Sequence, residues 1–346
     1  MTSFKLEPPV QAGSEYAQLS RQIKHAGLLE RRPGYYLTKI AANLVLLGAG
    51  VTAFFLLGDS WLQLLTAVFL ALVATQIAFV SHDAGHRQIF RTRRANDLLG
   101  FPQANLLVGI SFGWWVGKHN RHHANPNNVD RDPDVQIGAV AFTADQAVER
   151  RGLARTMARV QAYLFFPLLT LEAAQLHAAS VKAVLRGELK HPVIEGTLLL
   201  VNAVASLTAV FVVLSPVKAI VFIAVQQGLF GLYLGMSFAP NHKGMPVLTQ
   251  EQERDYLRRQ VLTARNVRGG RLVDFALGGL NYQVEHHLFP SLPRPSLRRA
   301  QPIVRAFCLE HGIAYHEATL LGSYAEALRH LHIVGEPLRL GPVSVE

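Results

Sequence analysis

The sequence predicts an all-α integral membrane protein: four transmembrane helices in two hairpins, carrying a helical cap built from the polar segments. Three observations predict it. Half of the 346 residues are hydrophobic and only 17% are charged, a balance too apolar for a pair of soluble domains. Four uncharged runs, each long enough to cross a bilayer core, fall into two closely spaced pairs. Lysine and arginine collect in the N-terminal tail, the central loop and the C-terminal region, while the hairpin tips carry almost none.

Met1 to Tyr36 is polar and basic, with Arg21, Lys24, Arg31 and Arg32. It lacks the charged start and short apolar core of a cleavable signal peptide, so the first apolar run is expected to stay in the membrane. That run, about 40–58, pairs with 61–81 around Asp59-Ser60 as the first hairpin. The segment from Leu98 to Gly117 is also uncharged and long enough to span. A crossing there would put His82 and His86 on the opposite side from His119, His122 and His123. A re-entrant or membrane-surface segment is therefore expected, broken by Gly100, Pro102, Gly109 and Gly113 and held at headgroup level by Trp114 and Trp115. Val160 to Leu171 is too short to span and reads as interfacial.

Runs at about 196–216 and 219–240, joined near Ser215-Pro216, form the second hairpin. Beyond Lys243 the chain is polar, with arginines from Arg254 to Arg299. The positive-inside rule places residues 1–39, 82–195 and 241–346 in the cytoplasm, within one domain of 346 residues, and in a bacterium the membrane would be the plasma membrane. Lys218, alone near an outer tip, is expected to snorkel. The net charge of +10 comes without a basic tail or an aromatic-interleaved basic patch, which argues against nucleic acid as a partner. The single cysteine, Cys308, excludes an internal disulfide and a thiolate metal cage.

The chemistry lies in the histidines. His119, His122 and His123 fall at i, i+3 and i+4, so a helix presents all three imidazoles on one face. His82 and His86 are spaced i, i+4, and Gln283, His286 and His287 repeat the i, i+3, i+4 pattern. Asn241-His242 ends the fourth apolar run as His82 ends the second, so His242 is expected at the same depth. These eight histidines suit two metal ions, and all-nitrogen ligation suits iron, copper, nickel or zinc over magnesium, calcium or manganese. A metal pair at the lipid boundary suggests oxidation of a long apolar substrate, for which iron and dioxygen supply the oxidant.

His82-Asp83-Ala84-Gly85-His86, His119-Asn120-Arg121-His122-His123 and Gln283-Val284-Glu285-His286-His287-Leu288-Phe289-Pro290 resemble the three histidine boxes of the membrane fatty acid desaturases. The resemblance runs from about Tyr36 to Tyr315, and the glutamine-led third box is similar to that of an acyl-CoA and acyl-lipid subgroup. It implies a diiron enzyme that inserts a cis double bond into a fatty acyl chain with O2 and two electrons. Its implied ligands are His82, His86, His119, His122, His123, His286 and His287. Gln283 stands where some relatives have histidine. Asp83, Asp132, Asp134 and Glu285 are then expected to accept ring N–H groups, and Asn241 to hold a metal-bound water. No His-Pro-Gly-Gly motif of a fused cytochrome occurs. Electrons are therefore expected from a separate ferredoxin, cytochrome or reductase, and the acyl group from coenzyme A, a carrier protein or a lipid. A membrane diiron hydroxylase or ketolase is the alternative enzyme. A metal-lined channel would need histidines inside the spans, whereas these sit at span ends. His177 and His191 have no partner at ligand spacing and serve as expected non-ligands.

Overall fold

The computed structural model describes residues 12–136, 138–249 and 255–340; Met1 to Gln11, Ile137, residues 250–254 with Arg254, and the last six residues lie outside the described residues. The protein is mostly helical, with four long apolar helices: Pro33–Leu57, Gln63–Gly85, Pro192–Val213 and Pro216–His242. They are called the first to fourth spans below. Three of them begin with proline in the first turn, where its missing N–H has no helical partner to lose. That is why these helices start three to seven residues before the predicted runs, which counted only uncharged residues. The second span runs four residues further than predicted, so its last turn contains His82. The fourth runs through Pro240 to end on His242.

The two hairpin tips meet. Asp59 accepts from the Ser215 backbone N–H at 2.9 Å and from its hydroxyl at 3.1 Å, and Lys218 Nζ pairs with the same carboxylate at 3.0 Å. Lys218 is thus an ion-pair partner and does not snorkel alone. The box-bearing ends of the second and fourth spans lie at the other end of the bundle. The second span is the most enclosed, packed between the first and fourth, with Ala71, Val73, Ile77, Phe230 and Leu234 in one core cluster.

The segment expected to be re-entrant is broken into three pieces. A helix over Arg93–Phe101 passes into a π-helix over Pro102–Val108, then a turn, then a helix over Phe112–Ala124. Gly109 makes the turn at φ +85°, a left-handed conformation that disfavours any side chain. The turn's polar groups are satisfied by side chains from neighbouring helices: His177 Nδ1 donates to Gly109 O at 2.7 Å and Asn202 donates to Leu106 O at 2.8 Å. Buried Glu195 accepts from Ser111 Oγ at 2.6 Å and from the Gly113 N–H at 3.0 Å, at the N-terminus of the Phe112–Ala124 helix. A carboxylate is favoured there by the helix dipole.

Val160 to Leu171 is not an isolated interfacial piece. Helices Gln161–Leu169 and Glu172–Leu185 meet at 67°, and together the bent pair is long and apolar enough to count as a fifth crossing. The elbow lies against the fourth span where Gly231 leaves room: a Cβ there would approach Ala173 N at 2.7 Å and Leu169 O at 2.8 Å. The polar cap has its own core. Helix Ala12–His25 contributes Leu19 and Ile23, which pack on Leu257, Val261, Leu288 and Val304. One short parallel strand pair, Asn266–Arg268 with Glu317–Thr319, is the only sheet among the described residues and departs from the all-α expectation.

Candidate metal centre

Each histidine box lies on a helix, so the spacing read from the sequence becomes geometry. His82 ends the second span and His86 caps it. His119, His122 and His123 share the helix Phe112–Ala124, while Gln283, His286 and His287 share the short helix Gln283–Leu288. Two groups form. His82, His86, His119 and His286 each offer a ring nitrogen within 4.8 Å of the others, and so do His122, His242 and His287. His123 stands between the groups: its Nε2 is 3.0 Å from His119 Nε2, and its ring stacks on that of His287 at 4.1 Å. All eight predicted histidines are brought together.

Their tautomers are set from outside. His82 Nδ1 donates to Asp83 at 3.1 Å and His122 Nδ1 to Asp132 at 2.9 Å, with Asp134 at 3.5 Å. His242 Nδ1 donates to Thr263 O at 2.9 Å, and His287 Nδ1 to Gln260 Oε1 at 3.0 Å. Such contacts turn the opposite nitrogen, an acceptor, toward the cluster. Nε2 of His82, His86, His286 and His287, and Nδ1 of His123, are buried without a hydrogen-bond partner among the described residues. Burial pushes the pKa of His86, His119, His123, His286 and His287 well below the ordinary value, and neighbouring imidazoles push it further. Burial acts on His122 the same way, but Asp132 and Asp134 outweigh it and raise its pKa. Convergent imidazoles with orphaned acceptor nitrogens are a donor set able to bind a transition metal.

Of the other predicted residues, Glu285 makes different contacts from those expected. Glu285 accepts from no ring nitrogen: Asn266 at 2.7 Å and Tyr315 at 2.7 Å take its oxygens, and burial raises its carboxyl to about 7. It follows Gln283 by two residues, so on this helix it faces the cap core. Asn241 donates its amide N–H groups to Ser237 O, Leu280 O and Gln283 Oε1, while its Oδ1 is buried without a hydrogen-bond partner among the described residues. His177 holds the Gly109 turn and so is no neutral reference position. Exposed His191 caps the third span and does remain apart from both groups.

Gln260 and Arg294 had no sequence signal as supporting residues, whereas Asn127 lies in the Asn125-Pro126-Asn127 flank of the second box. Gln260 is buried, accepting from His287 and donating to His123 O at 2.9 Å. Arg294 is buried against Asp83 at 2.6 Å, and this pair orients the carboxylate that holds His82. Asn127, in a left-handed conformation at φ +54°, donates to His242 O at 3.0 Å and presents its backbone N–H to Asp132 at 2.8 Å.

A cavity of about 570 Å³ adjoins the histidines. His82, His119, His122, His242 and Gln283 line one side, and Phe79, Val108, Ile110, Trp115, Leu176 and Leu234 are among its apolar walls. Its size lies within the range of ligand-binding pockets.

Residues 59–319 match the sequence profile of the fatty acid desaturase family. The chain belongs to the fatty acid desaturase family. It is 29% identical to an acyl-lipid (9-3)-desaturase of Physcomitrium patens, across 96% of this chain and 65% of that protein. A Delta(8)-fatty-acid desaturase of Helianthus annuus is 27% identical across 92% of this chain and 72% of its own length. Fatty acid desaturase 3 of Bos taurus is 29% identical across 94% and 75%. The chain therefore spans about two-thirds to three-quarters of these relatives. As a desaturase family member it is a multi-pass membrane protein, and its histidine groups are able to bind metal.

Proposed function

We propose that this protein inserts a cis double bond into a long-chain fatty acyl group bound in the cavity beside the histidines. The observation that carries the reading is the pairing of two convergent histidine groups with one largely apolar cavity. Two irons are the ions proposed: His82, His86, His119 and His286 would hold one, and His122, His242 and His287 the other, with His123 between them. Iron with dioxygen supplies an oxidant able to break an unactivated C–H bond, which no side chain supplies. The balance is one hydrogen from each of two neighbouring methylenes, with O2, two electrons and two protons, giving the alkene and two waters. The protein's own part is to orient imidazoles through Asp83, Asp132, Thr263 and Gln260, to favour the neutral form of His86, His119, His123, His286 and His287 by burial, and to hold the chain in the adjoining cavity.

The electrons come from a separate donor, a ferredoxin, cytochrome or reductase. Both termini and the site are cytoplasmic, in the plasma membrane if the host is bacterial. The meeting of the hairpin tips at Asp59 and Lys218, remote from the basic segments, supports that orientation. The relatives' names carry several bond positions, so they do not give this one. Expression in a host lacking the activity, followed by mass spectrometry of its acyl chains, tests the reading. A new alkene that depends on His119 and His286 is the expected result, and a hydroxylated or ketonic product would assign the protein to the alternative enzyme class.

A further inference from the structure

The fourth span is weakened just before the histidine it carries. Pro240 lies inside its last turn, shortly ahead of His242. Proline has no N–H, so the Met236 carbonyl one turn back loses its helical donor, and the end of any helix leaves further carbonyls without one. Each is satisfied from elsewhere. Tyr324 Oη donates to Met236 O at 2.8 Å. Arg265 Nε donates to Pro240 O at 2.9 Å, its backbone N–H to Asn241 O at 2.9 Å, and its Nη2 to Lys243 O at 2.5 Å. Asn127 donates to His242 O at 3.0 Å. Arg265 alone therefore holds the carbonyls of Pro240, Asn241 and Lys243, on both sides of His242. It also fixes the strand of chain that carries Thr263, whose carbonyl accepts from His242 Nδ1 at 2.9 Å.

Arg265 is fully buried, and the rest of its guanidinium is ion-paired with Glu326. Glu326 and Tyr324 both belong to the helix Leu320–Val334. Gly244 lets the two segments close. At φ +86° it turns the chain at the end of the span, and a Cβ there would lie 3.1 Å from Glu326 O. A guanidinium suits this place because its fork reaches several acceptors at once and its charge favours the negative end of a helix. The other histidine group has no such link. Among the described residues Arg265, Tyr324 and Glu326 make no hydrogen bond to His82, His86, His119 or His286, and His82 is held instead by Asp83 with Arg294 behind it.

We infer that Arg265 is a positioning residue for His242, and that the helix Leu320–Val334, through Tyr324 and Glu326, secures one of the two metal positions and leaves the other independent. The inference rests on the reading that His122, His242 and His287 hold an ion. Within each box the histidines are spaced by their own helix. His242 stands alone, so its aim depends on how the last turn of its span is held. Displacing it removes a ring nitrogen from the group with His122 and His287 and none from the group of His82, His86, His119 and His286.

The test uses the full-length protein in nanodiscs, loaded with iron(II) under argon, with iron per chain read by elemental analysis. Wild type is expected to hold two ions and Arg265→Met one, which is lost in turn when His86→Ala is added. Arg265→Lys keeps a cation facing the same carbonyls and is expected to recover part of the second ion. Two ions in Arg265→Met, or loss of both from a variant that still unfolds cooperatively, would overturn the inference.

If Arg265→Met does not fold, Tyr324→Phe decides, because it removes one hydroxyl and keeps the ring. It is expected to weaken binding of the second ion about fivefold, the loss of about one net hydrogen bond, and to leave the first unchanged. Hydrogen exchange of the metal-free protein gives a reading that needs no ion. The amides of residues 241–243 are expected to exchange about fivefold faster in Tyr324→Phe, and those of residues 80–86 at the wild-type rate. Wild-type exchange at 241–243 would overturn the inference whatever the iron content. Faster exchange there, in a protein whose wild type binds fewer than two ions, would overturn the two-metal reading while leaving the positioning role in place.

Discussion

The Gln283 side-chain nitrogen lies 2.9 Å from Nε2 of His242, and Gln283 Oε1 lies 3.4 Å from Asn241 Nδ2. Because His242 Nδ1 already donates to Thr263 O, its Nε2 is the acceptor, and the glutamine amide occupies the lone pair that a metal would take. A half-turn of that amide presents Oε1 to the same place. Gln283 therefore stands beside His242, and we propose it as a fourth group with His122, His242 and His287, direct or through water.

The substitution Gln283→His is expected to keep bound iron and to alter activity. Gln283→Ala is expected to lose most activity. Gln283 is buried, not on a surface, and Asn241 loses an acceptor with it, so a stability loss of about 1–3 kcal/mol is expected as well. Iron content, thermal unfolding and product yield check this. Full activity in Gln283→Ala would remove the residue from the centre.

His242→Ala is expected to lose the ion held by the His122, His242 and His287 group, and with it activity, while His191→Ala keeps both. His177→Ala is expected to retain metal yet unfold at lower temperature, because His177 bridges Gly109 O and Gln227 at 3.0 Å. Metal analysis beside a melting curve separates the two effects. Normal iron content in His242→Ala would exclude it as a ligand.

Removing Arg294 leaves the Asp83 carboxylate buried without its ion-pair partner. Arg294→Met is expected to cost about 3–5 kcal/mol, the usual penalty for breaking a buried pair from one side. The measurement is denaturant unfolding of metal-free protein, where no change in midpoint would show that the pair is immaterial.

The broken segment between Arg93 and Ala124 is expected to return to the side it left. Gly109 is unsuitable for a reporter cysteine, because a Cβ there would meet Asn202 Oδ1 at 2.6 Å in a left-handed turn. Leu107→Cys in a Cys308→Ala background is the better site. It is expected to stay unreactive toward an impermeant thiol reagent added from outside, and labelling would contradict the shared compartment of the boxes.

The histidine groups were legible because ligand spacing on a helix is periodic: His119, His122 and His123 could meet only on one face. His242 was legible from its depth, as a histidine ending the fourth span opposite the one ending the second, together with the family resemblance and the uneven ligand count of the boxes. Gln260, Thr263 and Arg294 were not, since each reaches the centre through tertiary packing and leaves no periodic trace. Glu285 misled for a related reason. Adjacent to His286 in sequence, it points from a different face of a helix only six residues long. Helix starts were misjudged where Pro33, Pro192 and Pro216 open the spans before the uncharged windows begin. The elbow at Thr170-Leu171 escaped because a hydropathy window has no means of registering a 67° bend.

The measurement that tests the account most directly is iron stoichiometry in the purified protein, read by elemental analysis with Mössbauer spectroscopy of ⁵⁷Fe-loaded samples. The account predicts two irons per chain in nitrogen-rich environments, with both lost when His122 and His286 are replaced together. A single iron, or a protein that takes up only zinc while still forming the double bond, would contradict it.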